Sequence, residues 1–280
     1  MASTENKLTA LKKAAISAPE YADILPLFTA LFEFAQEHGG TTGISLTTTA
    51  ASRAERMAAG FPLVSVTDLR IERGELVAFL QGVVALLRQH GKENADILDQ
   101  FTRALASGAL DPAPLILAAF ERRRAPLDEA AVSLTLPAPL LEYLVEIPLK
   151  IALELFADTI TPETFGYWDE AVCPVCGSRP GMAEICGDEG RRMLSCSTCF
   201  CKWPFKRLHC PSCGSEDPEK LSYFTVGEEP TRVDTCKACS RYIKTRDSRK
   251  GQGDVPLEVA DLLTMHLDLL ASREGFERSK

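Results

Sequence analysis

The sequence has no apolar run approaching the roughly 18 residues of a membrane span, no glycine-rich phosphate loop and no Gly-x-Ser-x-Gly elbow. These absences exclude a helical membrane protein, a phosphate-loop nucleotide enzyme and a serine hydrolase of the elbow type. The stretch from Met1 to Thr9 carries Glu5 and Lys7 and lacks the apolar core of a secretory signal. A cytoplasmic location without membrane insertion is the expectation. Positive charge is also in deficit: the 280 residues carry a formal net charge of -8, which argues against a general nucleic-acid binder. Cysteine is missing from residues 1–172 and again after residue 239.

All ten cysteines therefore lie between Cys173 and Cys239, and eight of them form Cys-x-x-Cys pairs: Cys173/Cys176, Cys196/Cys199, Cys210/Cys213 and Cys236/Cys239. Nineteen residues separate the first pair from the second and 22 separate the third from the fourth. At such spacings two hairpin tips each supply half of a tetrahedral four-cysteine site. A disulfide framework would suit a short secreted chain better than this one. In Cys173-Pro-Val-Cys176-Gly177 and Cys210-Pro-Ser-Cys213-Gly214, proline fixes the start of a tight turn and glycine permits a left-handed residue after it.

Consecutive pairing places Cys173, Cys176, Cys196 and Cys199 on one ion and Cys210, Cys213, Cys236 and Cys239 on another. An interleaved arrangement, in which the first and third pairs share an ion, stays open. Tetrahedral thiolate sites suit zinc and equally a mononuclear iron held as in rubredoxin. Four thiolates saturate either ion and leave no position for a catalytic water. Cys186 and Cys201 fall outside the pairs; Cys201, two residues after Cys199, could compete for ligation, but burial as a small apolar side chain is the commoner fate. His209, beside Cys210, reads as a packing or surface residue rather than a ligand.

From Lys7 to about Ile160 apolar residues recur at helical spacing. Leu25, Leu27, Phe28, Leu31, Phe32 and Ala35 form one stripe, ended by Gly39-Gly40. A helix from about Glu72 to His90 turns Leu76, Phe79, Leu80, Val83, Leu86 and Leu87 inward, with Gly91 as its stop. Asp111-Pro112 is an N-cap followed by a first-turn proline, opening a helix through Phe120 to Arg123. Pro139 to Phe156 is apolar on more than one face, with Pro148 expected to kink or split it. Tyr167 and Trp168 are candidates for packing the helical part on the cysteine region.

In that region the period becomes that of hairpins. Ala183–Cys186 and Arg191–Ser195 flank the turn Gly187–Gly190; Leu221–Val226 and Thr231–Thr235 repeat the scheme, as in an internal duplication. Trp203 and Phe205 lie between the repeats, available to cover a metal site. After the polar stretch Ser248–Asp254, one amphipathic helix begins near Pro256. The predicted fold is a mainly α N-terminal domain (1–165), two rubredoxin-like or zinc-ribbon-like four-cysteine units (166–250), and a C-terminal helix packing back on the body (251–280).

The cysteine region resembles the formate dehydrogenase accessory proteins called FdhE. The resemblance rests on Cys173-Pro-Val-Cys176-Gly177-Ser178, on Gly190-Arg-Arg-Met-Leu-Ser-Cys196-Ser-Thr-Cys199 and on Trp203. It continues through Cys210-Pro-Ser-Cys213, Lys220-Leu-Ser-Tyr223, Cys236-Lys-Ala-Cys239-Ser-Arg-Tyr242-Ile-Lys244 and the tail Val259–Leu262 with Glu274-Gly-Phe276. It implies a cytoplasmic, non-catalytic chaperone that binds the catalytic subunit of formate dehydrogenase and is needed for active enzyme. It also implies two metal ions per chain, with iron favoured and zinc possible. Two other function classes stay open. A zinc-ribbon nucleic-acid binder has 13 Lys/Arg against 7 Asp/Glu over residues 191–250 in its favour, a surplus that thiolate-bound metal reduces. A thiol-disulfide or electron-transfer protein would use the pairs for redox work.

Overall fold

The computed structural model describes residues 4–90, 95–250 and 255–279. Gly91, positions 251–254 of the predicted polar stretch and Met1–Ser3 of the N-terminal reading lie outside the described residues. In chain order the helical elements are α1 (Thr4–Ser17), α2 (Leu25–His38), strand β1 (Ile44–Leu46), α3 (Ala50–Ala58), strand β2 (Leu69–Ile71), α4 (Arg73–His90), α5 (Ala95–Ser107), α6 (Pro112–Phe120), α7 (Arg124–Ser133) and α8 (Ala138–Asp158). The strands of the cysteine region follow: β3 (Pro180–Cys186), β4 (Arg191–Cys196), β5 (Lys202–Pro204), β6 (Leu221–Phe224), β7 (Thr231–Cys236) and β8 (Arg241–Asp247). Helices α9 (Leu257–Leu262) and α10 (Met265–Arg273) and strand β9 (Glu277–Arg278) complete the described chain.

Contacts gather these elements into two units. One comprises Glu20–Ala50 and Val64–Phe156 and is helical but for the short β1–β2 pair. Its α4 buries Leu76, Phe79, Leu80 and Val83 as the stripe demands, and leaves Leu86 and Leu87 half-buried. Asp111 caps α6, accepting a bond from the Ala113 N–H at 3.1 Å with Pro112 in the first turn. Helix α8 runs unbroken through Pro148, so of the expected kink or split the proline makes no split. The missing N–H costs one backbone bond, whereas Leu141, Leu144, Val145, Leu149 and Leu153 are all at most 2% exposed and hold the helix from both sides of the proline.

The other unit comprises Met1–Pro19, Ala51–Leu63 and Ala157–Lys280. The predicted division at 165 and 250 follows the chain in order, whereas these contacts group two N-terminal segments with the cysteines. Lys7 of α1, 2% exposed, lies 3.7 Å from Glu258 of α9 and 4.7 Å from the centroid of the Phe200 ring. The Leu63 N–H donates to the Pro174 carbonyl at 2.8 Å. Trp168 is buried and donates to the Val172 carbonyl, while Tyr167 is 91% exposed and packs nothing.

The two predicted hairpins each gain a third strand and join as one sheet in the order β5-β4-β3-β8-β7-β6. The junction is a parallel pairing of β3 with residues 244–247 of β8, and β9 pairs with residues 241–242 along the same edge. Two helices cover the sheet where the sequence suggested one. Helix α9 sets Leu257 and Ala260 against Met182, and α10 sets Leu267 and Ala271 against Val233 and Tyr242. Lys244 explains the break: its fully buried ammonium donates to the carbonyls of Asp261 and Thr264, at the C-terminal end of α9, and to Asp268 of α10.

Candidate metal centres

Each knuckle is the same local structure made four times. The residue after the second cysteine has positive φ in every case: Gly177 at 71°, Phe200 at 56°, Gly214 at 75° and Ser240 at 53°. In the first and third knuckles the glycine N–H closes the turn onto the carbonyl of the leading cysteine, at 2.8 and 2.9 Å. The turn then aims amides at sulfur. Val175, Thr198 and Ser212 donate to the sulfurs of Cys173, Cys196 and Cys210 at 3.3–3.4 Å. Such donors stabilise thiolate and orient it.

The sheet brings consecutive knuckles together. Cys173, Cys176, Cys196 and Cys199 form one quartet and Cys210, Cys213, Cys236 and Cys239 the other, with the sulfurs of each within 4.8 Å of one another. Consecutive grouping is therefore the arrangement present, and the interleaved one is excluded. Closest separations are 3.5 Å for Cys173 to Cys199 and for Cys176 to Cys196, 3.8 Å for Cys210 to Cys239 and 3.7 Å for Cys213 to Cys236. A tetrahedron with metal–sulfur bonds of about 2.3 Å has edges of roughly 3.8 Å, so both quartets fit one zinc or iron ion each. None of the ten cysteines is in a disulfide.

The protonation balance argues for a cation. Burial pushes the Cys173, Cys196 and Cys199 thiols well above the ordinary range, while Cys176, accepting from Cys173, Cys196 and Cys199, is held well below it. Four thiolates packed this closely out of water repel one another, so holding all four charged requires a metal's charge. In the second quartet burial raises Cys236 and Cys239, and Cys213 is lowered because the Ser215 amide and neighbouring thiols outweigh its burial. The two sites differ in access: the first quartet is entirely buried, whereas Cys213 is exposed and Cys239 half-buried.

Residues outside the quartets hold them in place. Trp203, fully buried, donates from Nε1 to the Glu170 carbonyl just before the first knuckle. Cys201 is buried beside Cys173, Cys186 is half-buried, and neither belongs to a quartet. His209 bonds to Glu216 through Nδ1 at 2.9 Å and packs edge-on against Phe205, outside the ligand set. Arg192 enters the sequence reading only as one residue of the Gly190–Cys199 run, with no role assigned, yet it is central. From β4 it reaches the carbonyls of Lys206, Arg207 and His209 and thus pins the segment leading into the third knuckle. Ser279 does the same from the C-terminal side, through its hydroxyl contact with Ser212 at 2.7 Å. Among the described residues no helix is long and apolar enough to cross a membrane.

Residues 208–280 match the family described as FdhE, C-terminal domain. An FdhE homolog of Aquifex aeolicus is 38% identical over 132 residues, 46% of this chain and 46% of the relative. One from Edwardsiella ictaluri is 38% identical over 112 residues, 39% of this chain and 35% of the relative. The matched sequence thus spans less than half the length of these curated relatives. The crystal structure of the FdhE protein from Pseudomonas aeruginosa superposes with a TM-score of 0.70 at 21% identity, covering 99% of this chain and 94% of that one, so the fold is shared along nearly the whole chain.

Proposed function

We propose, from the match of residues 208–280 to the FdhE C-terminal domain and the shared fold, a formate dehydrogenase accessory protein that binds the catalytic subunit of the enzyme in the cytoplasm. In this reading the eight paired cysteines hold two metal ions, one per quartet, and the ions shape a docking surface rather than a reaction centre. One observation carries the proposal: two closed four-sulfur clusters lie in a sheet of the FdhE fold. Four thiolates fill a tetrahedral ion and leave no position for a substrate, as structural sites do. The resemblance favours iron, and the donor set accepts zinc equally.

Capture of the formate dehydrogenase catalytic subunit from cells expressing it, read together with formate oxidation, tests this. The intact protein is expected to retain the subunit and support its activity. Replacing Cys210 and Cys213 by Ser is expected to lose one metal equivalent and weaken capture while the helical unit stays folded. Normal capture and full activity with that variant would remove the second site from the function. Failure of the intact protein to capture the subunit would sink the accessory role itself.

A further inference from the structure

Beside the second quartet lies a cavity of about 110 Å³, several times the space one water molecule needs. Its wall carries four arginines, Arg192, Arg207, Arg232 and Arg241, against one aspartate, Asp234, with Tyr223 at the rim. Arg192 is only 5% exposed, and its Nε–H is a buried donor without an acceptor. Buried charged donors are ordinarily paired, so a cavity lined by Arg192 together with three further arginines points to a ligand that accepts.

The rest of the wall suits the same chemistry. Asp234 does not repel an anion as a free carboxylate would, because its charge is committed: it accepts from Arg232 Nε at 2.7 Å and from Thr245 at 2.7 Å, and lies 3.6 Å from Arg192. Arg232 lies 4.5 Å from the centroid of the Tyr223 ring, which fixes the guanidinium in place. The neighbouring sulfurs draw their donors elsewhere. Backbone amides of Ser212, Ser215, Ala238 and Arg241 serve Cys210, Cys213, Cys236 and Cys239. Arg192 gives Nη1 to three backbone carbonyls, Arg232 gives Nε to Asp234 and Arg241 gives Nη1 to the Arg278 carbonyl. The other edges of Arg232 and Arg241 remain for a ligand, and planar guanidinium forks match the two oxygens of a carboxylate or phosphate.

We infer that this cavity is an oxyanion-binding site, in which Arg192, Arg232 and Arg241 close around a carboxylate or phosphate group. The assignment does not depend on the identity of the partner protein. Cys210 and Cys236 form part of the same wall.

The test uses the zinc-loaded full chain, with calorimetry for binding and the Arg192 Nε–H resonance as a local reporter. Inorganic phosphate, acetate and a capped tetraglutamate peptide are the probes. Expected is saturable binding of at least one probe that moves the Arg192 resonance and weakens with salt. An Arg232→Gln, Arg241→Gln double variant that keeps two zinc equivalents is expected to bind about tenfold more weakly or worse, the loss of charge-assisted bonds. Tighter binding of the peptide than of acetate at equal carboxylate concentration assigns the group to a polypeptide; preference for phosphate assigns it to a free ion. Absence of saturable binding, an unmoved Arg192 resonance, or unchanged affinity in the double variant would overturn the site.

Discussion

Ser240 holds a left-handed backbone, φ 53°, at the position where the first and third knuckles have glycine. A side chain there carries a strain of about 1 kcal/mol, and Ser240 is exposed, with little packing to lose. Ser240→Gly is therefore expected to raise stability by up to about 1 kcal/mol in urea unfolding of the metal-loaded protein. Phe200→Gly should gain less, because the ring sits under the Lys7 ammonium. The two unpaired cysteines give a second prediction at this scale. A Cys186→Ser, Cys201→Ser variant should keep two metal equivalents by elemental analysis, since neither thiol belongs to a quartet. Loss of a full equivalent would mean one of them is a ligand. The eight paired cysteines were legible in the sequence because a knuckle is local. Arg192 was not, because its acceptors lie 14, 15 and 17 residues away and no periodicity announces them.

Among elements, the α9–α10 pair depends on charges taken out of water. Lys244 is fully buried between Asp261 and Asp268, each at 2.7 Å, and Tyr242 donates to Asp268 at 2.7 Å. Removing one partner leaves a buried charge short of compensation, so Asp268→Ala is expected to cost roughly 3 kcal/mol. Burial, and next the bond to Asp268, raise the Tyr242 pKa above its ordinary 10.0. The protonated phenol is the form the fold prefers. Its stabilisation is complete below pH 10.0 and is lost as pH rises from there through the raised folded value. Urea midpoints between pH 9 and 11 should fall less steeply in Tyr242→Phe than in the parent; identical slopes would contradict the assignment. The apolar stripe of this region was readable as one helix, but the break was not, because it is set by a lysine in a strand.

For the whole molecule the metal ions are expected to divide the two units. Chelation should abolish hydrogen-exchange protection in the sheet and in α1, which joins it through Lys7, and leave protection in Glu20–Ala50 and Val64–Phe156, where α4 and α8 have their own apolar core. Uniform loss would show a single cooperative unit. With Cys213 exposed and the first quartet buried, the second ion should leave first, seen as two kinetic phases in which Cys210→Ser, Cys213→Ser abolishes the faster. The sequence by itself determined the four knuckles, their sulfur chemistry, the two hairpins and the main helices. Each of these depends on neighbours a few residues apart, through turn conformation or apolar period. Only the tertiary structure decided which knuckles meet, that β3 and β8 fuse the ribbons by a parallel pairing, that α1 belongs with the cysteines, and that four arginines share one cavity. Parallel pairing and buried charge join residues far apart in the chain, and neither leaves a repeat that can be read along it.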